Sequence, residues 1–422
     1  MTWPHSNFGE QLAAQTSGIN ELMRDLGEAM AGRNDLLMLG GGNPAHIPAV
    51  DALWEERWRA LSDEPGAVAR ILGNYDAPQG SPAFLEALTE SLRAECGWDI
   101  SPANIAVVNG SQTAFFYLFN LLAGRHADGS FRTILLPLAP EYIGYADQGV
   151  APGMFRACPP KVELIGDHRF KYHIDFDRLV VDDGHAAICV SRPTNPSGNV
   201  LTDEEMSRLA SLAEARHIPL LVDNAYGAPF PGILFRDVTP VWNDRMVMVM
   251  SLSKLGLPGT RTGMIIANED LIESISATHA VAGLANGNIG QAITTPLLRD
   301  RSLFRLRDEA IRPFYQRKSN QAVAWLLEAL DARLPFRIHV NEGALFLWLW
   351  FDDLPITAQQ LYERLKARNV LIIPGHPFFY GLEEEHPHQH RCIRLSYAQS
   401  DVMVEQGIAI LAEEVARAYA GG

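Results

Sequence analysis

The chain has 422 residues, 47% hydrophobic and 20% charged, with a formal charge of −15. Single cores stop growing at about 250–300 residues, so a large domain plus a smaller one is expected. The acidic balance argues against an electrostatic footprint for nucleic acid or an anionic membrane. Cys96, Cys158, Cys189 and Cys392 are widely spaced, with no CxxC pair, and read as the reduced packing thiols of a cytoplasmic protein. The most apolar run, 344–351, is far shorter than the roughly 20 residues a spanning helix needs, and no signal-peptide pattern opens the chain.

In chain order, residues 8–32 place Ile19, Leu22, Met23, Leu26 and Met30 at helical spacing, and the turn Gly40-Gly41-Gly42-Asn43-Pro44 follows. Between about 80 and 300, helical stretches separate short apolar runs at 105–108, 133–136, 186–190, 219–222, 246–250 and 263–267. This alternation predicts an α/β fold with a largely parallel sheet between helices. Ligands of such sheets gather at the carboxyl ends of the strands. From about 310 the pattern changes. A helix over 311–330, strands over 336–340 and 345–351 and a helix over 357–368 come first, then strands over 370–373 and 394–396 and a terminal helix over 401–419. The expected organisation is an N-terminal arm (1–45), a large domain (46–305) and a small α+β domain (306–422).

The chemistry-bearing residues fall at the ends of these strands. Asn109-Gly110-Ser111-Gln112 is a glycine turn between a strand and a helix start, where free N–H groups and a hydroxyl suit a phosphate. Alone it reads as readily as a helix cap. Tyr142 is a candidate to cover a flat ring, or a core aromatic. Asn195, between Pro193 and Pro196, is a donor to a ligand or a plain turn residue. Asp223 ends an apolar strand, so its ionised form needs a partner unless it is a helix cap. Lys254 directly follows another apolar run, an unusual place for a solvated lysine, and Arg261 lies seven residues on. Arg394, flanked by apolar residues, needs an anion. Its planar fork suits a carboxylate, and an internal salt bridge is the alternative.

An amine, an acid, an amide and a guanidinium at strand ends are what pyridoxal 5'-phosphate (PLP) chemistry needs. The lysine forms a Schiff base with the aldehyde and the acid keeps the ring nitrogen protonated, while the other two hold the phenolic oxygen and the phosphate.

The set resembles the fold-type I aminotransferases, the aspartate aminotransferase superfamily, across nearly the whole chain. The likeness is carried by Gly42-Asn43-Pro44, Asn74-Tyr75 with Gly80, Gly110-Ser111-Gln112, Asn195-Pro196-Ser197-Gly198, Asp223 with Tyr226, Ser251-x-x-Lys254, Arg261 and Arg394. Residues 38–45 and 251–259 carry a narrower likeness, to the valine–pyruvate branch. The resemblance implies a fold-type I PLP transferase, with a mainly parallel seven-stranded sheet between helices and a smaller α+β domain. It implies that Lys254 is the Schiff-base lysine and proton carrier, that Asp223 pairs with the ring nitrogen, and that Asn195 and Tyr226 hold the phenolic oxygen. Ser111, Gln112, Ser251 and Arg261, with Gly110 in the same turn, would hold the phosphate. Tyr142 stands where many relatives stack a tryptophan. Tyr75 would reach the phosphate of the neighbouring subunit, which implies a homodimer. Gly42, Asn195 and Arg394 would face the substrate carboxylate.

Relatives that act on dicarboxylates use a second arginine, and the corresponding stretch here, 282–290, has no basic residue. A neutral aliphatic donor is therefore expected, and the likeness to the valine–pyruvate branch implies valine or alanine as donor, L-valine first, with pyruvate as acceptor. The alternatives are another neutral or aromatic aminotransferase and a carbon–sulfur β-lyase. A non-catalytic regulator is disfavoured by the acidic charge. His386, His388 and His390 alternate in a manner that can chelate a metal, but a solvated loop is the plainer reading and no metal is expected.

Overall fold

Runs of Val, Ile, Leu and Met with no polar interruption bury both faces when they form strands, and this governs the centre of the molecule. In the computed structural model, which describes residues 3–13, 24, 27 and 36–421, the strands in chain order are β1 (Leu37–Met38), β2 (Ile105–Val108), β3 (Gly124–Arg125), β4 (Phe131–Leu136), β5 (Phe155–Ala157) and β6 (Lys161–Ile165). They continue with β7 (Arg169–His173), β8 (His185–Ser191), β9 (Leu220–Asp223), β10 (Met246–Ser251) and β11 (Gly263–Ile266). The last are β12 (Phe336–His339), β13 (Phe346–Phe351), β14 (Val370–Leu371), β15 (Ile373–Pro374) and β16 (Cys392–Ser396). Of the expected N-terminal helix, Asn7–Leu12 is helical with Ser6 as its cap. Ile19, Leu22, Met23, Leu26 and Met30 lie outside the described residues.

The large sheet runs β2-β11-β10-β9-β8-β4, with β5 and the two-residue β3 both paired to β4. All six strands expected from the apolar runs are present. The seventh is β5, and β3 adds a short eighth. Strands β4, β5, β8, β9 and β10 are parallel, and β11 is antiparallel to both neighbours. Alternate residues serve opposite faces. Val222 and Met248 pack on one side with Leu209 of the helix Asp203–Ala215. Leu221, Val247 and Val249 pack on the other with Phe115 and Ile275 of the helices Ser111–Leu122 and Glu269–Gly283. Thr202 and Glu205 form a reciprocal capping box that starts the helix Asp203–Ala215.

A second sheet runs β15-β16-β13-β12-β7-β6. The hairpin β6–β7 leaves the chain between two strands of the large sheet and joins this one through parallel pairing of β7 with β12. The strand expected over 370–373 is split in two. Residues 370–371 pair parallel with β1, while 373–374 pair antiparallel with β16, so the chain changes partners at the buried Ile372. The helices Arg312–Ala329, Ala358–Ala367 and Asp401–Tyr419 supply Leu326, Leu361 and Leu411 to the adjoining core. A buried ion pair, Lys171–Glu342, ties β7 to the loop between β12 and β13. Glu342 also accepts the Val200 N–H (3.0 Å) and pairs with Arg236 (2.6 Å).

The histidine segment is partly packed, which corrects the solvated-loop reading for His386 and His388, while His390 is exposed. His388 is buried, with Nδ1 2.7 Å from the Tyr172 hydroxyl, and the His386 ring stacks on Phe379. Among the described residues, no helix is long and apolar enough to cross a membrane.

Candidate active site

The carboxyl ends of β2, β8, β9 and β10 open on a cavity of about 250 Å3. It gathers Gly42, Ser111, Gln112, Tyr142, Asn195, Asp223, Tyr226, Ser251, Lys254, Arg261 and Arg394 from seven separate stretches of sequence. Gly110 does not line it but packs against Arg261, which does, and Tyr75 stands outside, 81% exposed. A larger cavity of about 420 Å3 beneath the helix Asp203–Ala215 is mostly apolar, walled by Met206, Val222, Met246 and Met248. It holds no nucleophile paired with a base, so the smaller cavity is the one with reactive groups.

Lys254 follows β10, where the strand must end because Leu252 to Leu255 turns into a short helical loop. Its Nζ donates to the Gly42 carbonyl (2.6 Å) and stands 5.3 Å from the centre of the Tyr226 ring. Burial, reinforced by the Arg394 and Arg261 charges, brings its pKa down to about 8. A lysine so placed is partly a free amine at neutral pH, which is what nucleophilic attack on a carbonyl requires.

Asp223 ends β9 and projects into the same cavity. Burial raises its pKa, opposed by the Tyr145 hydroxyl on Oδ2 and the Ala225 N–H on Oδ1 (2.9 Å). A cationic N–H placed at this carboxylate would favour its charged form. Asn195 Oδ1 accepts from Arg394 Nη1 (2.7 Å), so the amide's N–H2 end remains for a ligand. Tyr226 is buried beside Lys254, and burial pushes its phenol well above the ordinary range.

Two anion sites flank these groups. At one, the 12-residue helix Ser111–Leu122 begins without a side-chain cap, leaving its first N–H groups and the Ser111 hydroxyl to a ligand. Gly110 has φ 86°, and a Cβ there would overlap the Arg261 guanidinium, so glycine is required twice over. Arg261 Nη2 reaches the Asn109 carbonyl (3.3 Å), Ser251 Oγ donates to Ser253 Oγ (2.9 Å), and Gln112 Nε2 donates to Gly144 O (3.1 Å). An uncapped helix N-terminus, two hydroxyls and a guanidinium match a phosphate dianion.

At the other, Arg394 on β16 lies 4.1 Å from the Phe346 ring centre, with Nη2 on the Gly40 carbonyl (2.8 Å). Its buried Nε has no partner among the described residues. Burial lowers its pKa to about 10. A buried guanidinium facing carbonyls and rings lacks the anion that would offset its desolvation, and a substrate carboxylate supplies one.

Sequence reasoning passed over Ser253, whose hydroxyl shares the phosphate-sized wall with Ser251. The Ser-x-Ser spacing was the available signal. It also passed over Tyr145, which donates to Asp223; Ser191, which lines the cavity; and Glu141, which bonds Ser191. Nothing in a Pro-Glu-Tyr turn marks its acid as buried.

Residues 55–411 match the family of class I and II aminotransferases. Valine–pyruvate aminotransferase of Escherichia coli is 49% identical over 417 residues, covering 98% of this chain and 99% of the relative. The crystal structure of a valine–pyruvate aminotransferase from Salmonella typhimurium superposes with a TM-score of 0.88 at 49% identity, covering 96% of this chain and all of that one. Kynurenine aminotransferase of Pyrococcus horikoshii shares the fold at 19% identity (TM-score 0.78, 96% of each chain). The chain belongs to the class I and II aminotransferases.

Proposed function

We propose that the chain binds pyridoxal 5'-phosphate and moves the amino group of L-valine to pyruvate, giving 3-methyl-2-oxobutanoate and L-alanine. The observation that carries this reading is the near-full-length 49% identity to an enzyme of that name. The pocket supports it. Its cations are Lys254, Arg261 and Arg394, which serve the reacting carbon, a phosphate and an α-carboxylate in turn. Among the described residues that line it, none remains for a second substrate carboxylate, and burying one unpaired costs several kcal/mol.

When bound, PLP supplies an aldehyde that exchanges amino groups and a protonated ring that delocalises the electron pair left as the Cα–H bond breaks. The chain's residues do the rest. Asp223 holds the ring nitrogen's proton, with Tyr145 and Ala225 fixing its two oxygens. Asn195 and Tyr226 donate to the phenolic oxygen. Ser111, Gln112, Ser251 and Arg261 grip the phosphate around Gly110, and Tyr142 covers the ring. Arg394 clamps the substrate carboxylate beside Gly42 and Asn195. That clamp sets the Cα–H toward Lys254 Nζ, which takes up the proton and later returns it. The amino acid and the 2-oxo acid use the site in alternation.

The chain acts as a homodimer in this reading, with Tyr75 reaching the partner's phosphate site. Tyr75, Leu72, Val281 and Leu284 are 81%, 64%, 91% and 57% exposed. Asn288 Nδ2 donates to the carbonyls of Ile71 and Asn74, which ties the segment of Leu72 and Tyr75 to the helix Asn288–Arg299. Large apolar side chains left this exposed are what a partner subunit would cover. Sedimentation at twice the 46.6 kDa chain mass is the expected result, and a monomer would remove the shared site.

Steady-state competition tests the substrate assignment. With pyruvate as acceptor, valine is expected to outcompete aspartate and glutamate by about 10²-fold or more in kcat/KM, the scale of one buried charge left unpaired. Preference for aspartate or glutamate would overturn the assignment while leaving the chemistry.

A further inference from the structure

We propose that Glu141 is a positioning residue that tunes Asp223 by holding a proton at the head of a buried chain, Glu141–Ser191–Tyr145–Asp223. Its bearing on catalysis rests on the role proposed above for Asp223.

The chain is read from the geometry. Glu141 Oε1 lies 2.5 Å from Ser191 Oγ and 2.8 Å from the Tyr142 N–H, and Oε2 accepts the Ser191 N–H (3.0 Å). Ser191 Oγ lies 3.5 Å from the Tyr145 hydroxyl, which in turn donates to Asp223 Oδ2. All four residues are buried, Glu141 to 3% exposure and Tyr145 completely. Among the described residues, no cation bonds to Glu141; its side-chain partners are Tyr142 and Ser191 alone.

The titratable groups around Glu141 are Tyr142 and Tyr145 on its own loop, Cys189 on β8, Asp223 on β9 and Tyr380 from the segment after β15. The Tyr380 hydroxyl donates to the Tyr142 carbonyl (2.9 Å). Burial keeps the phenols and the thiol neutral, so among these groups Asp223 is the second acid able to carry a charge beside Glu141. Lys254, Arg261 and Arg394 stand on the pocket side of Asp223.

Two carboxylates sharing one dry cluster cannot both ionise cheaply. Burial pushes Glu141 up to about 8, against the donors from Ser191 and Tyr142 and with the Asp223 charge adding to the rise. With the proton on, Glu141 donates to Ser191 Oγ, the Ser191 O–H turns to Tyr145, and Tyr145 donates to Asp223. Three donors then point one way, and each strengthens the next. With the proton gone, the Ser191 O–H turns back to Glu141. Tyr145 loses its incoming bond and a second negative charge stands behind Asp223.

Glu141→Gln fixes the neutral form at nearly the same size and keeps a donor toward Ser191. Two readouts separate this proposal from the cofactor assignment. In the cofactor-free protein, infrared difference spectra against this variant should show a protonated-carboxyl band that is lost as pH rises through about 8. In the PLP-loaded protein, the visible absorbance should titrate with a component near pH 8 that the variant lacks, while its turnover below pH 7 stays within about threefold of wild type. A missing carboxyl band, or a loaded spectrum that titrates identically in both proteins, would overturn the proposal. A carboxyl band with no chromophore formed in either protein would instead break the cofactor reading and leave Glu141's proton established.

Discussion

Replacing Lys254 by alanine is expected to lower alanine formation from valine and pyruvate by about 10⁴-fold or more, because one group supplies both the nucleophile and the proton carrier. The structure gives the expectation its force. A lysine with its pKa brought to about 8 is roughly a tenth free amine at pH 7, against less than about a thousandth for an ordinary lysine. Its surroundings do not provide a substitute. Among the described residues, the pocket's other cations are guanidiniums, which do not give up a proton at neutral pH. The substitution should leave the fold intact, since Lys254 contributes a single hydrogen bond, to the Gly42 carbonyl. Assay of variant protein freed of host enzyme, with a thermal melt alongside, checks both halves. Wild-type turnover by a folded variant would refute the assignment.

The second large effect is expected at Arg394. Truncating one partner of a buried, hydrogen-bonded charge pair costs about 2–5 kcal/mol, so Arg394→Ala should lower kcat/KM by roughly 10²–10³-fold for both valine and pyruvate. The loss should fall mainly on KM, since the guanidinium grips a carboxylate present in both ground state and transition state. Arg394→Lys restores the charge without the planar fork and should recover only part of the loss. The substitution also frees Asn195 Oδ1 and the Gly40 carbonyl, the two acceptors that hold the guanidinium here. Unchanged affinity for both substrates in Arg394→Ala would remove its role and reopen where the carboxylate binds.

How far the sequence foretold this arrangement depended on distance along the chain. Strands β8, β9 and β10 were legible because each is an unbroken apolar run, a pattern that parallel strands buried on both faces impose. Strand β5 was not, being three residues long with Arg156 at its centre. The hairpin β6–β7 was hidden for another reason. Lys161–Ile165 is largely exposed, and its value to the fold comes from pairing that continues to β12, more than 160 residues on. Local pattern cannot report such a partner.

The pocket divides along the same line. Lys254, Asp223, Asn195 and Arg394 could be singled out because each is a polar group set against apolar strand sequence. Their convergence on one cavity is what three dimensions add. Glu141 carried no such mark. It is buried only because its loop folds against the 376–378 turn, where its N–H donates to the Phe378 carbonyl (3.0 Å) and the Tyr142 ring closes over Gly144. The histidines at 386–390 failed in the opposite sense, since their alternation suggested an open loop, whereas His388 is buried against Trp350 and His386 stacks on Phe379.

The most direct measurement is a half-reaction. The purified, PLP-loaded protein is given L-valine with no acceptor, and 3-methyl-2-oxobutanoate and ammonia are quantified. The account predicts one 2-oxo acid released per chain, then arrest until pyruvate is added, with no ammonia, because the amino group stays on the enzyme. Continuous release accompanied by ammonia, or no release from valine while the protein holds its cofactor, would contradict it.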